Sequence, residues 1–103
     1  MAQVVWSESA LQDLDQVADY ISLDNPEAAN KLVKEVFKRV DLLEQFPEMC
    51  PVPHDLPHSR YRHLIVGPLR IFHRINDNIV FIVYVMRTER NLALEDLTNL
   101  ESE

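Results

Sequence analysis

A chain of 103 residues, 47% hydrophobic and 26% charged, has room for one hydrophobic core, and its balance is too apolar for a disordered segment. It is read as a single domain over 1–103. The lone Cys50 excludes an internal disulfide, the single glycine excludes a phosphate loop or dinucleotide fingerprint, and no Cys/His cluster has zinc-ligand spacing, so neither cofactor nor metal is expected.

Taken in chain order, Gln3 to Trp6 is rich in β-branched and aromatic residues and predicts a short strand, after which Ser7 offers an N-cap. Leu11, Leu14, Val17, Ala18 and Ile21 recur at helical spacing, with Asp13, Asp15, Gln16 and Asp19 on a side expected to face water. Asn25-Pro26 places a cap and a first-turn proline at the start of a second helix. Its stripe of Ala29, Leu32, Val33, Val36, Phe37, Val40 and Leu43 is read as reaching Phe46. Trp6 is read as a core residue under the resulting antiparallel helical hairpin.

Pro47, Pro51, Pro53 and Pro57 exclude helix and central strand from the next segment, which predicts a long loop. His54 and His58 are expected to be solvated there, and Cys50 to be exposed. Three strand-like runs follow, Tyr61 to Val66, Leu69 to Ile75 and Ile79 to Met86, separated by Gly67-Pro68 and Asn76-Asp77-Asn78. The middle run alternates, with Leu69, Ile71, His73 and Ile75 on one face and Arg70, Phe72 and Arg74 on the other. His73 is read as a hydrogen-bonded core histidine. The last run, apolar throughout, suits a central strand covered on both faces. Leu92, Leu97 and Leu100 could supply a short C-terminal helix as part of that cover, within an acidic tail over 91–103.

The fold class predicted is therefore α+β, with an N-terminal strand and a two-helix hairpin packed on a mainly antiparallel sheet of about four strands. The longest apolar run is far short of the roughly 20 residues that span a bilayer. Met1-Ala2-Gln3 does not open a signal peptide, so a cytoplasmic location with no membrane partner is expected.

The net charge of −7 hides a dipole. Residues 1–50 hold ten acids against Lys31, Lys34, Lys38 and Arg39, whereas residues 59–90 hold six arginines against Asp77 and Glu89. The acidic total disfavours loose attachment to a nucleic-acid backbone, but arginines can locally grip phosphate or carboxylate in a bidentate manner.

Specific strings carry a family resemblance: Trp6-Ser7 with Ala10, Asp13-Leu14 and Tyr20-Ile21; Asn25-Pro26-Glu27-Ala28-Ala29; Phe46-Pro47-Glu48-Met49; Arg70-Ile71-Phe72-His73-Arg74-Ile75; and Val83 to Arg87 with Arg90. Over about residues 3–92 the chain resembles the RelE/ParE superfamily of bacterial type II toxins. It departs from that pattern at Cys50, where glycine is frequent, at His73, where Tyr is usual, and in the acidic tail.

The resemblance implies a toxin neutralised by a cognate antitoxin, with operator DNA contacted only through the antitoxin. It also implies one of two targets. RelE-like members are ribosome-dependent mRNA endoribonucleases; ParE-like members inhibit DNA gyrase. RNA cleavage needs a general base, a general acid and cations for the developing phosphorane charge. The residues available to such a site are Arg70, His63 and Arg87, with no late Tyr or His. The opening motifs look more ParE-like, so non-catalytic gyrase inhibition is favoured, with Arg70, Arg74, Arg87 and Arg90 as contacts to the target or the antitoxin. The alternatives are the ribonuclease and a non-toxic antitoxin-binding module or co-repressor.

Overall fold

The computed structural model describes residues 1–88. Strand β1 (Gln3–Trp6) leads into helix α1 (Glu8–Ser22) and helix α2 (Pro26–Asp41), and after a long loop come β2 (Tyr61–Val66), β3 (Leu69–Asn76) and β4 (Ile79–Arg87). Arg90 and the leucines of the proposed C-terminal helix lie outside the described residues, as does the tail over 91–103.

Both helices start where their caps dictate. The Ser7 hydroxyl accepts from the Ala10 amide at 3.0 Å and the Asn25 side chain from the Ala28 amide at 3.1 Å, satisfying donors that have no partner within the helix. Helix α2 stops earlier than its apolar stripe suggested. After Asp41 the chain tightens into a single 3-10 turn, Leu42–Glu44, so Phe46 is not part of the helix and is 56% exposed. The reason is local: a residue before proline is pushed out of the helical region, and Phe46 precedes Pro47.

The sheet order is β1-β4-β3-β2, with β1 parallel to β4 and the other neighbours antiparallel. The wholly apolar β4 is thus central, as its composition predicted. Its helix side packs Val80, Ile82 and Val85 against Ala10, Leu14, Val36, Val40 and Leu43. Trp6 packs on this cluster, its ring 5.1 Å from that of Phe37. On the opposite face Tyr61, Phe72, Val83 and Met86 form a second cluster, closed by Leu56 from the loop. Cys50 is only 4% exposed and belongs to the main core, contrary to the expectation for a proline-flanked loop residue. Burial pushes its thiol pKa up, which disfavours the reactive thiolate.

One irregularity changes which way side chains point. Phe72 pairs with Tyr84, but His73 pairs with Ile82, leaving Val83 as an extra residue on β4. A bulge of this kind reverses the alternation beyond it. Leu69 lies opposite Arg87 and Arg70 opposite Met86.

The β2–β3 turn places Gly67 at φ +53°, a left-handed conformation that L side chains adopt at a cost. A methyl group there would meet Leu32 Cδ1 at an ordinary 3.5 Å. Gly67→Ala is therefore expected to lower unfolding free energy by about 1 kcal/mol through backbone strain alone. Urea denaturation would check this, and an unchanged midpoint would contradict it.

Candidate functional site

The loop and the outer sheet face meet at Arg70. Although β3 carries it among apolar neighbours, Arg70 is only 7% exposed, and its charge must be compensated to be tolerated there. Nη1 and Nη2 donate to Asp55 Oδ2 and Oδ1 at 3.0 and 2.9 Å, a two-pronged ion pair. Nε donates to His63 Nδ1 at 3.3 Å, and the guanidinium lies 4.7 Å from the Phe72 ring centroid. The Arg70 side chain, chiefly through its hydrogen bonds, holds the Asp55 carboxyl below its ordinary pKa. Burial, then the positive charge of Arg70, lowers that of His63, so His63 is a neutral acceptor near pH 7.

The other predicted residues are dispersed around this hub. Arg74 shares the Arg70 face and lies over Phe81, 4.4 Å from its centroid. Arg87 is on the helix side: it opposes the core residue Leu69, and its guanidinium sits 5.1 Å from the ring centroid of Tyr20 on α1. With Gln16, Val17 and Tyr20 it lines an open groove of about 250 Å³. Arg70 and Arg87 are thus on opposite faces of the sheet. His54 and His58 are exposed, as expected for the loop.

Three features were not anticipated. Asp55 had no assigned role, yet it supplies the anchor for Arg70; no spacing rule links a loop carboxylate to a strand arginine fifteen positions later. Asp13, expected on the wet side of α1, accepts from the Val85 amide at 3.2 Å, serving the β4 edge beyond the end of β1, where no other strand among the described residues pairs. Arg62 ties down the other end of the loop, donating to the Cys50 and Glu48 carbonyls at 2.6 and 3.3 Å.

His73 is fully buried on the helix side, but neither ring nitrogen has a hydrogen-bond partner among the described residues, so the expected hydrogen-bonded histidine is corrected to an unpartnered one. Burial is the main reason its pKa is lowered to about 4. Among the described residues no group of His, Cys, Asp or Glu could share a metal ion, and no helix is long and apolar enough to cross a membrane.

The family model of the ParE toxin of the type II toxin–antitoxin system parDE matches residues 4–92, nearly the whole described chain. The chain belongs to the ParE toxin family. Among curated proteins it is 33% identical over 91 residues to Toxin RelE2 of Caulobacter vibrioides, covering 87% of this chain and 99% of that one. Among solved structures, the chromosomal ParDE toxin–antitoxin system from P. aeruginosa contains a chain that superposes with a TM-score of 0.72 at 26% identity, over 86% of this chain and 98% of that one. A chain of the toxin–antitoxin complex RelBE2 from Mycobacterium tuberculosis shares the fold with a TM-score of 0.55 at 21% identity, over 84% of this chain and 96% of that one. The protein is a type II toxin of the RelE/ParE superfamily.

Proposed function

We propose that this toxin acts by binding rather than by cleaving RNA, that its target is DNA gyrase in the cytoplasm, and that a cognate antitoxin neutralises it. The observation that carries this reading is the separation of the residues a ribonuclease would have to bring together. A 2′-hydroxyl attack needs base, acid and phosphate clamp around one phosphate. Here Arg87 is on the helix side beside Tyr20, across the sheet from Arg70 on the outer face, and His63 Nδ1 is engaged by Arg70. A toxin that only holds a target has no need of that convergence. The match to the ParE model and to a ParDE system supports the same branch. The ParDE toxin–antitoxin system among its structural neighbours, together with the parDE family match, supports an antitoxin partner, through which operator DNA would be contacted.

On this reading the single domain over 1–103 presents two arginine surfaces, Arg74 on the outer face and Arg87 beside the exposed Tyr20 ring. Purified toxin incubated with gyrase, plasmid and ATP is expected to block supercoiling and accumulate cleaved plasmid, and to leave ribosome-bound mRNA intact. Arg87→Ala is expected to lose at least tenfold in gyrase inhibition, the scale of one charged contact, while its thermal midpoint stays within a few degrees. Normal supercoiling in the presence of folded toxin, or cleavage of ribosomal mRNA, would overturn the reading.

A further inference from the structure

Between residues 49 and 76 the sequence holds four arginines and one acid, Asp55. That one carboxylate sits on the best-oriented arginine of the group. His63 takes Nε and the Phe72 ring underlies the guanidinium, so Arg70 is held rigidly and offers one remaining edge, Nη1 with Nη2. A planar two-pronged donor of this type fits a carboxylate and a phosphate equally well. We infer that Asp55 is an autoinhibitory plug: it occupies an anion site on Arg70 that is built to receive a phosphate group and yields when such a group displaces it.

The plug can leave without unfolding the loop. The Asp55 side chain is 29% exposed, whereas that of Arg70 is 9% exposed. The segment around Asp55 is fastened by contacts that do not involve its carboxylate. Leu56 donates its amide to the Pro53 carbonyl at 3.0 Å, His63 donates its amide to the Pro51 carbonyl at 3.1 Å, and Leu56 packs into the second core cluster. Release therefore requires rotation of one short side chain toward water.

The surroundings favour phosphate over a partner's carboxylate. On the same face Arg74 lies over the half-buried ring of Phe81, and the half-buried Tyr84 ring stacks on the fully buried Phe72. Cations interleaved with aromatic rings suit a nucleic-acid strand, whose phosphates and bases need both. The inference does not rest on gyrase being the target, because the site is read with phosphate alone.

The test is a titration of the whole purified chain with inorganic phosphate at constant ionic strength, followed by the Arg70 Nε–H nuclear magnetic resonance signal. Asp55→Asn removes the competing charge and is expected to bind phosphate roughly tenfold more tightly than the unaltered protein, the factor set by one modest ion pair. The double variant Asp55→Asn/Arg70→Lys should lose that gain, since ammonium lacks the fork. If Asp55→Asn disperses poorly, Asp55→Glu carries the test: its longer arm spoils the two-pronged geometry, and intermediate affinity is expected. Equal affinity in all variants would overturn the inference, as would displacement of Asp55 by a glutamate-rich peptide but not by phosphate.

Discussion

Arg70→Ala is expected to lower the unfolding free energy by about 2 kcal/mol, the scale of a charge-assisted hydrogen-bond hub, and the thermal midpoint by roughly 10 °C. Three contributions are lost together: the two-pronged pair with Asp55, the bond to His63 and the packing of the guanidinium on Phe72. The loss stays below that of a fully interior pair because the freed Asp55, 29% exposed, can rehydrate. The pH dependence gives a second signature. Asp55 has a folded pKa below its ordinary 3.8, so its contribution is present above that value and fades as pH falls below it. In Arg70→Ala the carboxyl returns toward 3.8, and that part of the acid sensitivity should vanish. Urea denaturation at pH 7 and pH 3 would read both effects. An unchanged midpoint would mean that Arg70 is not a structural hub. The functional consequence is direct: loss of toxicity in Arg70→Ala reports a loosened loop as much as a lost contact, whereas Arg87→Ala tests a contact without disturbing the core.

The architecture was legible because each element carries its own local signal. Ser7 and Asn25 mark helix starts, and the unbroken apolar run of β4 says that both its faces are covered. The site was legible only in part, since its geometry depends on pairings between distant residues. Val83 is an ordinary strand residue, and nothing in its identity announces that it is unpaired; yet that one insertion sends Arg87 to the helix side, away from Arg70. Asp55 reads as one more polar loop residue, and its role appears only when the loop folds over β3. Cys50 and Phe46 failed in opposite directions for a related reason. Proline-rich chain is exposed on average, but Arg62 pulls the Cys50 backbone onto the sheet, while the turn ending at Glu44 leaves Phe46 outside the core.

The buried imidazole of His73 should make the fold acid-labile well above the carboxylate range. Its pKa is lowered from 6.5 to about 4, mainly because burial penalises the charged ring, and the positive charge of Arg62 adds to the effect. Above pH 6.5 both folded and unfolded chains hold a neutral ring, and His73 contributes no pH dependence. Between 6.5 and 4 the unfolded chain takes up a proton that the folded chain refuses, so stability falls as pH falls. From pH 7 to pH 5 the loss is expected to be about 2 kcal/mol, approaching about 3 kcal/mol near pH 4. His63, also lowered, adds to the loss in the same direction. His73→Phe keeps the ring's bulk and removes both unpartnered nitrogens, so it should flatten this slope to the residue left by His63. At pH 7 it should be neutral or stabilising by about 1 kcal/mol, because no buried polar group is then left without a partner. Denaturation curves at pH 7 and pH 5 for both proteins decide the matter. A slope unchanged by the substitution would show that His73 gains a proton partner in the folded chain and is not held neutral by burial.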